Sequence, residues 1–169
     1  MTAPPESYRE IPLSKGQVAL VDVEDYERLL PYTWYAMLVK KTGKHYAARR
    51  GGYGRKGTTS ILMHREIMGC VAGDGVEVDH VDTHLSLDNR KHNLRKCTHA
   101  QNCRNTQLRK DNTSGFKGVY PSGRKWYALI KMNGNQTYLG ARDTKEEAYQ
   151  LYCEAAKERF GEFANFGHF

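Results

Sequence analysis

Over residues 11–23 the apolar positions run strand-like, interrupted only by Ser14-Lys15-Gly16. Asp22 or Glu24 can open a short helix over 24–30, which Pro31 stops. Two aromatic-rich strands follow, over 33–39 and 45–50, joined at 40–44 by a stretch of hairpin composition. Four glycines within 51–57 predict a mobile loop, and Arg55 and Lys56 within it can reach a phosphate. Residues 58–62 read as another strand and 63–68 as a short helix ending at Gly69. Beyond it, 76–80 reads as a strand running into an irregular loop, and 94–97 as a second short strand. Thr98 with Gln101 forms a capping-box pattern, so a helix is expected from about His99, with Asn102 in its first turns.

The pattern changes after Asp111-Asn112-Thr113-Ser114-Gly115, a polar run of turn formers that reads as a linker. Strands are predicted over 116–120, 125–132 and 136–139, with turns at Pro121-Ser122-Gly123 and Asn133-Gly134. Thr144 with Glu147 caps a last helix that runs to about Phe160 and ends at Gly161. Ala148, Tyr152, Ala155, Ala156 and Phe160 share one face of it, and the small alanines let it lie close on a sheet. The expected fold class is α+β in three parts. These are a small β-rich segment (1–57), a strand–loop–strand–helix unit (58–110), and a three-stranded antiparallel sheet packed on one helix (111–169).

Charge sharpens this division. The net charge is +7, unevenly spread. Residues 40–56 hold seven Lys/Arg and no acid, residues 90–131 carry a net +10, and residues 57–89 between them carry −5. Basic surfaces that flank a local carboxylate cluster suit a phosphate polymer and a cation held against it. Four cysteines without a Cys-x-x-Cys pair argue against a zinc module and against a disulfide scaffold. No apolar run reaches the length of a membrane span and no signal peptide is evident, so an intracellular protein is expected, away from any membrane.

The acidic segment holds the candidate chemistry. Val78-Asp79-His80-Val81-Asp82 sets a carboxylate beside an imidazole, and Asn89, Asn93 and Asn102 follow. Carboxylate and amide oxygens suit a hard divalent ion, Mg²⁺ or Mn²⁺, and an imidazole can take a proton from water. Asp79 and Asn102 are the candidate ligands and His80 the candidate base. Asn93 both donates and accepts, so it can brace the loop that carries His80.

These residues resemble the HNH endonucleases of phage and mobile introns. The resemblance runs from Met63-His64-Arg65 through Glu77-Val78-Asp79-His80-Val81-Asp82, Leu87-Asp88-Asn89-Arg90 and Asn93-Leu94-Arg95 to Gln101-Asn102-Cys103-Arg104-Asn105. It implies a ββα-metal unit with one divalent ion, His80 as base, Asn93 as brace, and Asp79 and Asn102 as ligands. The family often has Gly-Asn after the second Asp, where this chain has Thr83-His84. A glycine of positive φ there would leave Thr83 strained.

Residues 114–166 resemble the DNA-binding domain of plant ethylene-response factors, through Gly118-Val119, Lys125-Trp126-Tyr127-Ala128, Tyr138-Leu139-Gly140 and Asp143-Thr144-Lys145-Glu146-Glu147-Ala148. The resemblance implies a sheet that enters the major groove. Lys117, Tyr120, Arg124, Trp126 and Lys131 are its candidate DNA contacts, joined by Arg49, Arg50, Arg55, Lys56 and Arg104. The expected activity is that of a metal-dependent homing or nicking endonuclease, acting as a monomer on double-stranded DNA in a bacterial or phage-infected cell. The alternative is a DNA-binding regulator with a degenerate nuclease unit.

Overall fold

The computed structural model describes residues 8–40, 42–54, 57–104, 108, 111–132 and 134–167. It is a mixed α and β chain of small antiparallel sheets, divided into two compact units, Met1–Thr98 and His99–Phe169. Arg55 and Lys56 lie outside the described residues, as does the side chain of Arg104.

In the first unit β1 (Tyr8–Pro12) pairs with β2 (Val18–Asp22), and alternation turns Ile11, Ala19 and Val21 into the core. Helix α1 (Val23–Leu29) follows directly and buries Leu29, whose carbonyl accepts the Trp34 indole N–H at 2.9 Å. Strands β3 (Trp34–Val39), β4 (Lys44–Gly54) and β5 (Gly57–Leu62) form an antiparallel sheet in that order. The glycine-rich segment expected as a loop therefore extends β4 through Gly54, with a bulge between Arg50 and Tyr53. Close approach explains it: a Cβ on Gly51 would stand 2.6 Å from the Thr59 hydroxyl and 3.1 Å from its carbonyl oxygen, so glycine there permits close strand pairing.

Helix α2 (Met63–Ile67) ends before Gly69, at φ 66°. Strands β6 (Glu77–His80) and β7 (Leu94–Cys97) then pair antiparallel. Ala19, Val21, Leu29, Trp34, Ala47, Met63, Ile67, Val78 and Leu94 belong to one core. The boundary expected after residue 57 thus falls inside a single packed body.

The second unit contains α3 (His99–Arg104) and a sheet ordered β10-β9-β8, built from β8 (Val119–Ser122), β9 (Lys125–Met132) and β10 (Asn135–Arg142). Helix α4 (Lys145–Phe160) opens on the full Thr144–Glu147 capping box, buries Ala148, and lays Tyr152 and Ala156 against Ala128 and Ile130. The first strand starts later than expected. Gly118 has φ 73°, and a Cβ on it would meet the Tyr152 ring at 2.2 Å; its carbonyl accepts the Leu129 N–H at 2.8 Å, and the regular ladder starts at Val119. Pro121, expected in a turn, is tolerated because β8 is an edge strand.

Candidate active site

Strand β6 ends at His80, the point at which the ladder with β7 stops. The bend that follows takes the chain out of strict alternation, and Asp79 and His80 are both buried. Asp79 lies opposite Arg95, whose guanidinium donates to its Oδ2 at 3.0 and 3.4 Å. A carboxylate this deep needs a countercharge, and the guanidinium supplies one.

The intervening loop, residues 81–93, is held by Asn93. Its carbonyl accepts the Val81 N–H and its Oδ1 the Asp82 N–H, both at 2.8 Å. Its Nδ2 donates to the carbonyls of Leu85 (3.2 Å) and Asp88 (3.0 Å). One amide thus ties the start of the loop to its middle and its end. Strands from earlier in the chain fix it further. Leu20 of β2 donates its N–H to Leu87 O at 3.0 Å and accepts the Asn89 N–H at 2.8 Å. The Ser86 hydroxyl donates to the His45 carbonyl of β4 at 2.8 Å. Thr83 has no positive φ; Lys15 is the single non-glycine residue with one among the described residues, so the strain considered at Thr83 does not arise.

His80 is enclosed by two further rings. His64, from α2, stands edge-on to it with centroids 5.1 Å apart, and Tyr46, from β4, lies 5.8 Å from His80 and 5.7 Å from His64. Burial lowers His80 from its ordinary value to about 4; Asn89 and Asp88 pull it upward and Lys44 pushes it further down. Burial lowers His64 to about 3. Both rings are therefore neutral near pH 7, the form that accepts a proton. Lys44 shares a strand face with Tyr46 and is half-buried. Burial lowers its pKa against the opposing pull of Asp79 and Asp82. Its ammonium makes no ion pair among the described residues.

Sequence reading missed Lys44, Tyr46, His64 and Arg95 as neighbours of the pair. Alternation along β4 would have set positions 44 and 46 on one face. Nothing in the spacing of His64 could have placed it beside His80.

The remaining candidates are placed as follows. Asn102 lies on α3, within the second unit, and is half-buried. Arg49 is engaged internally: its guanidinium meets both Glu66 oxygens at 2.7 and 3.1 Å and lies 4.0 Å from the centre of the Tyr32 ring. Arg50 is exposed. Lys117 is mostly enclosed, with its pKa lowered by burial to about 8, and donates to Asn165 Oδ1 at 3.4 Å. Tyr120 and Lys131 point from the sheet face away from α4, where Tyr120 stacks on Tyr127 at 5.6 Å and Tyr138 follows at 6.3 Å. Trp126 shares the opposite, helix-side face with Ala128 and Ile130, and Arg124 is exposed in the β8–β9 turn. Among the described residues the close acidic triplet is Asp22, Glu24 and Asp25, where Lys91 pairs with Glu24 and Asp25, and Arg28 with Asp25. All four cysteines are free thiols, and no helix is long and apolar enough to cross a membrane.

No family model and no solved structure matches the chain. It is 32% identical over 156 residues, 89% of its own length and 74% of the relative's, to an uncharacterized HNH endonuclease, L560, of Acanthamoeba polyphaga mimivirus. It is 32% identical over 94 residues to Protein 3.8 of Escherichia phage T7, covering 54% of this chain and 76% of that one.

Proposed function

Because the chain belongs to the HNH endonuclease family, we propose that it hydrolyses phosphodiester bonds of double-stranded DNA, with His80 as general base and one divalent ion, Mg²⁺ or Mn²⁺. The observation that carries this reading is the buried Asp79–His80 pair at the end of β6, with its loop braced by Asn93. Neutral His80 takes a proton from water. The resulting hydroxide attacks phosphorus, and the bond to the 3′ oxygen breaks.

The donor chemistry fits a hard ion, since Asp79 offers a carboxylate and Asn102 an amide oxygen. Arg95 already compensates the Asp79 charge, so an ion there would share the carboxylate with a guanidinium. The bound ion would supply charge stabilisation at the scissile phosphate. Lys44, which makes no ion pair among the described residues, is suited to a phosphate oxygen at the same place.

The second unit is proposed to hold duplex DNA through the outer sheet face, by Tyr120, Lys131 and Arg124, with Tyr127 and Tyr138 beside them. Trp126, on the helix side, is better suited to supporting that face than to touching bases. Arg50, Arg55, Lys56 and Arg104 would meet phosphates, and Arg49 and Lys117 are held by internal partners. One site per monomer implies a nick at each binding event, as a homing or nicking enzyme makes. Supercoiled plasmid incubated with the protein should give nicked circles with Mg²⁺ and none with chelator. The His80→Ala variant should bind DNA and leave it intact. Binding without metal-dependent nicking by the unaltered protein would favour the regulator reading instead.

A further inference from the structure

In the second unit Ala128 and Ile130 turn toward α4, and alternation sends Tyr127, Leu129 and Lys131 to the opposite sheet face. Three rings stand in a row across that face, one from each strand: Tyr120 of β8, Tyr127 of β9 and Tyr138 of β10. Their centroids are 5.6 and 6.3 Å apart. The outer two, Tyr120 and Tyr138, are 41% and 61% exposed. Cross-strand packing explains the order of the rings and leaves the exposure of the two outer ones unexplained. Leu129, opposite Tyr138 in the ladder, extends the apolar strip.

The groups around the strip narrow what it can meet. Residues 90–131 carry a net +10, which favours a polyanion. Guanine is read in the major groove chiefly by a bidentate guanidinium. The strip offers none among the described residues: Arg142 lies opposite Trp126 on the helix side, and Arg124 sits in the β8–β9 turn. At one end of the strip Gln136 faces Lys131 across the ladder, and both are exposed. An apolar strip with a glutamine beside it matches the other base pair. In that groove thymine presents its C5 methyl group, and adenine presents the N6 and N7 atoms that a glutamine can bridge. Base pairs rise about 3.4 Å, so each step between rings spans fewer than two pairs. The Tyr120 and Tyr127 planes are 26° apart and stacked, which turns their faces to each other and their edges outward. Edges suit small methyl groups better than they suit flat, unpaired bases.

We propose that this strip makes the outer face selective for A·T pairs, with Tyr120, Tyr127 and Tyr138 packing against thymine methyl groups in the major groove. The inference rests on the duplex-DNA reading of that face and adds the sequence class it selects. The competing occupant is a single strand whose bases stack on the same rings.

The test uses the full chain in chelator, so that no strand is cut, and fluorescence anisotropy. It compares an A·T-rich duplex with the same duplex carrying deoxyuridine for every thymidine. The exchange removes the methyl groups and leaves the base-pair edges in the minor groove unaltered. Burial of two methyl groups predicts a Kd roughly 10-fold weaker for the uracil duplex. Tyr120→Ala combined with Tyr138→Ala should bring the two duplexes to equal affinity, and Tyr120→Phe combined with Tyr138→Phe should keep the difference. Equal affinity of the unaltered protein for the two duplexes overturns the proposal, as does a full difference that survives the alanine pair. Tighter binding of the single strand, blind to the methyl groups, overturns it in favour of base stacking. Failure to bind any duplex would refute the outer-face reading itself, whereas duplex binding without methyl discrimination refutes this inference alone.

Discussion

Replacing His64 by Phe separates the ring's volume from its nitrogens. The His64 ring is buried beside His80, its Nδ1 has no hydrogen-bond partner among the described residues, and burial lowers its pKa to about 3. In the unfolded chain the same side chain takes a proton near its ordinary 6.5. Between these values acid protonates the unfolded state and not the folded one, so stability is lost as pH falls below 6.5, and the loss continues down to about 3. At pH 5 the unfolded state has gained about 1.5 units' worth, about 2 kcal/mol from this one residue.

Phe has no such proton to bind. The His64→Phe protein should therefore lose about 2 kcal/mol less than the unaltered protein between pH 7.5 and pH 5. At pH 7.5 it should be as stable or more so, since an unpaired buried nitrogen costs on the order of 1 kcal/mol. Urea unfolding at the two pH values, followed through Trp34 in a Trp126→Phe background, measures this in the first unit alone. His80 and the carboxylates are common to both proteins and cancel in the comparison. Equal pH-dependent losses in the two proteins would show that His64 is not held neutral by the fold, and the reasoning would fail.

Asn93→Ala removes three side-chain hydrogen bonds at once, so urea unfolding should show a loss of about 3 kcal/mol and plasmid nicking should cease. Asp79→Ala removes the carboxylate that the mostly enclosed Arg95 guanidinium contacts at 3.0 Å. It should destabilise the first unit by about 3–5 kcal/mol, where Asp79→Asn costs less and still weakens Mg²⁺ binding measured by calorimetry. Truncation after Asp111 removes the sheet with its row of exposed tyrosines and bases. It should lower duplex affinity in a gel-shift assay and flatten its dependence on salt. Tyr138→Ala, at a site 61% exposed, should weaken DNA binding with melting temperature unchanged, whereas Trp126→Ala should lower the melting temperature.

Local pattern carried much of this protein. The extent of β7 and β9, the ends of α4 and its capping box, and the bracing capacity of Asn93 follow from residue type and local pattern: strand propensity, turn formers, a capping box, and an amide that both donates and accepts. The Asp79–His80 pair was legible because adjacency in sequence is adjacency in space. Three things were decided by the tertiary structure. The glycine-rich segment became strand because Thr59 approaches Gly51, a contact eight residues away. The first two expected domains became one because their apolar faces complete each other's core. The surroundings of His80 come from α2 and β4, sixteen and thirty-four residues upstream. Burial in that shared core, which no local pattern encodes, is what holds the two imidazoles neutral.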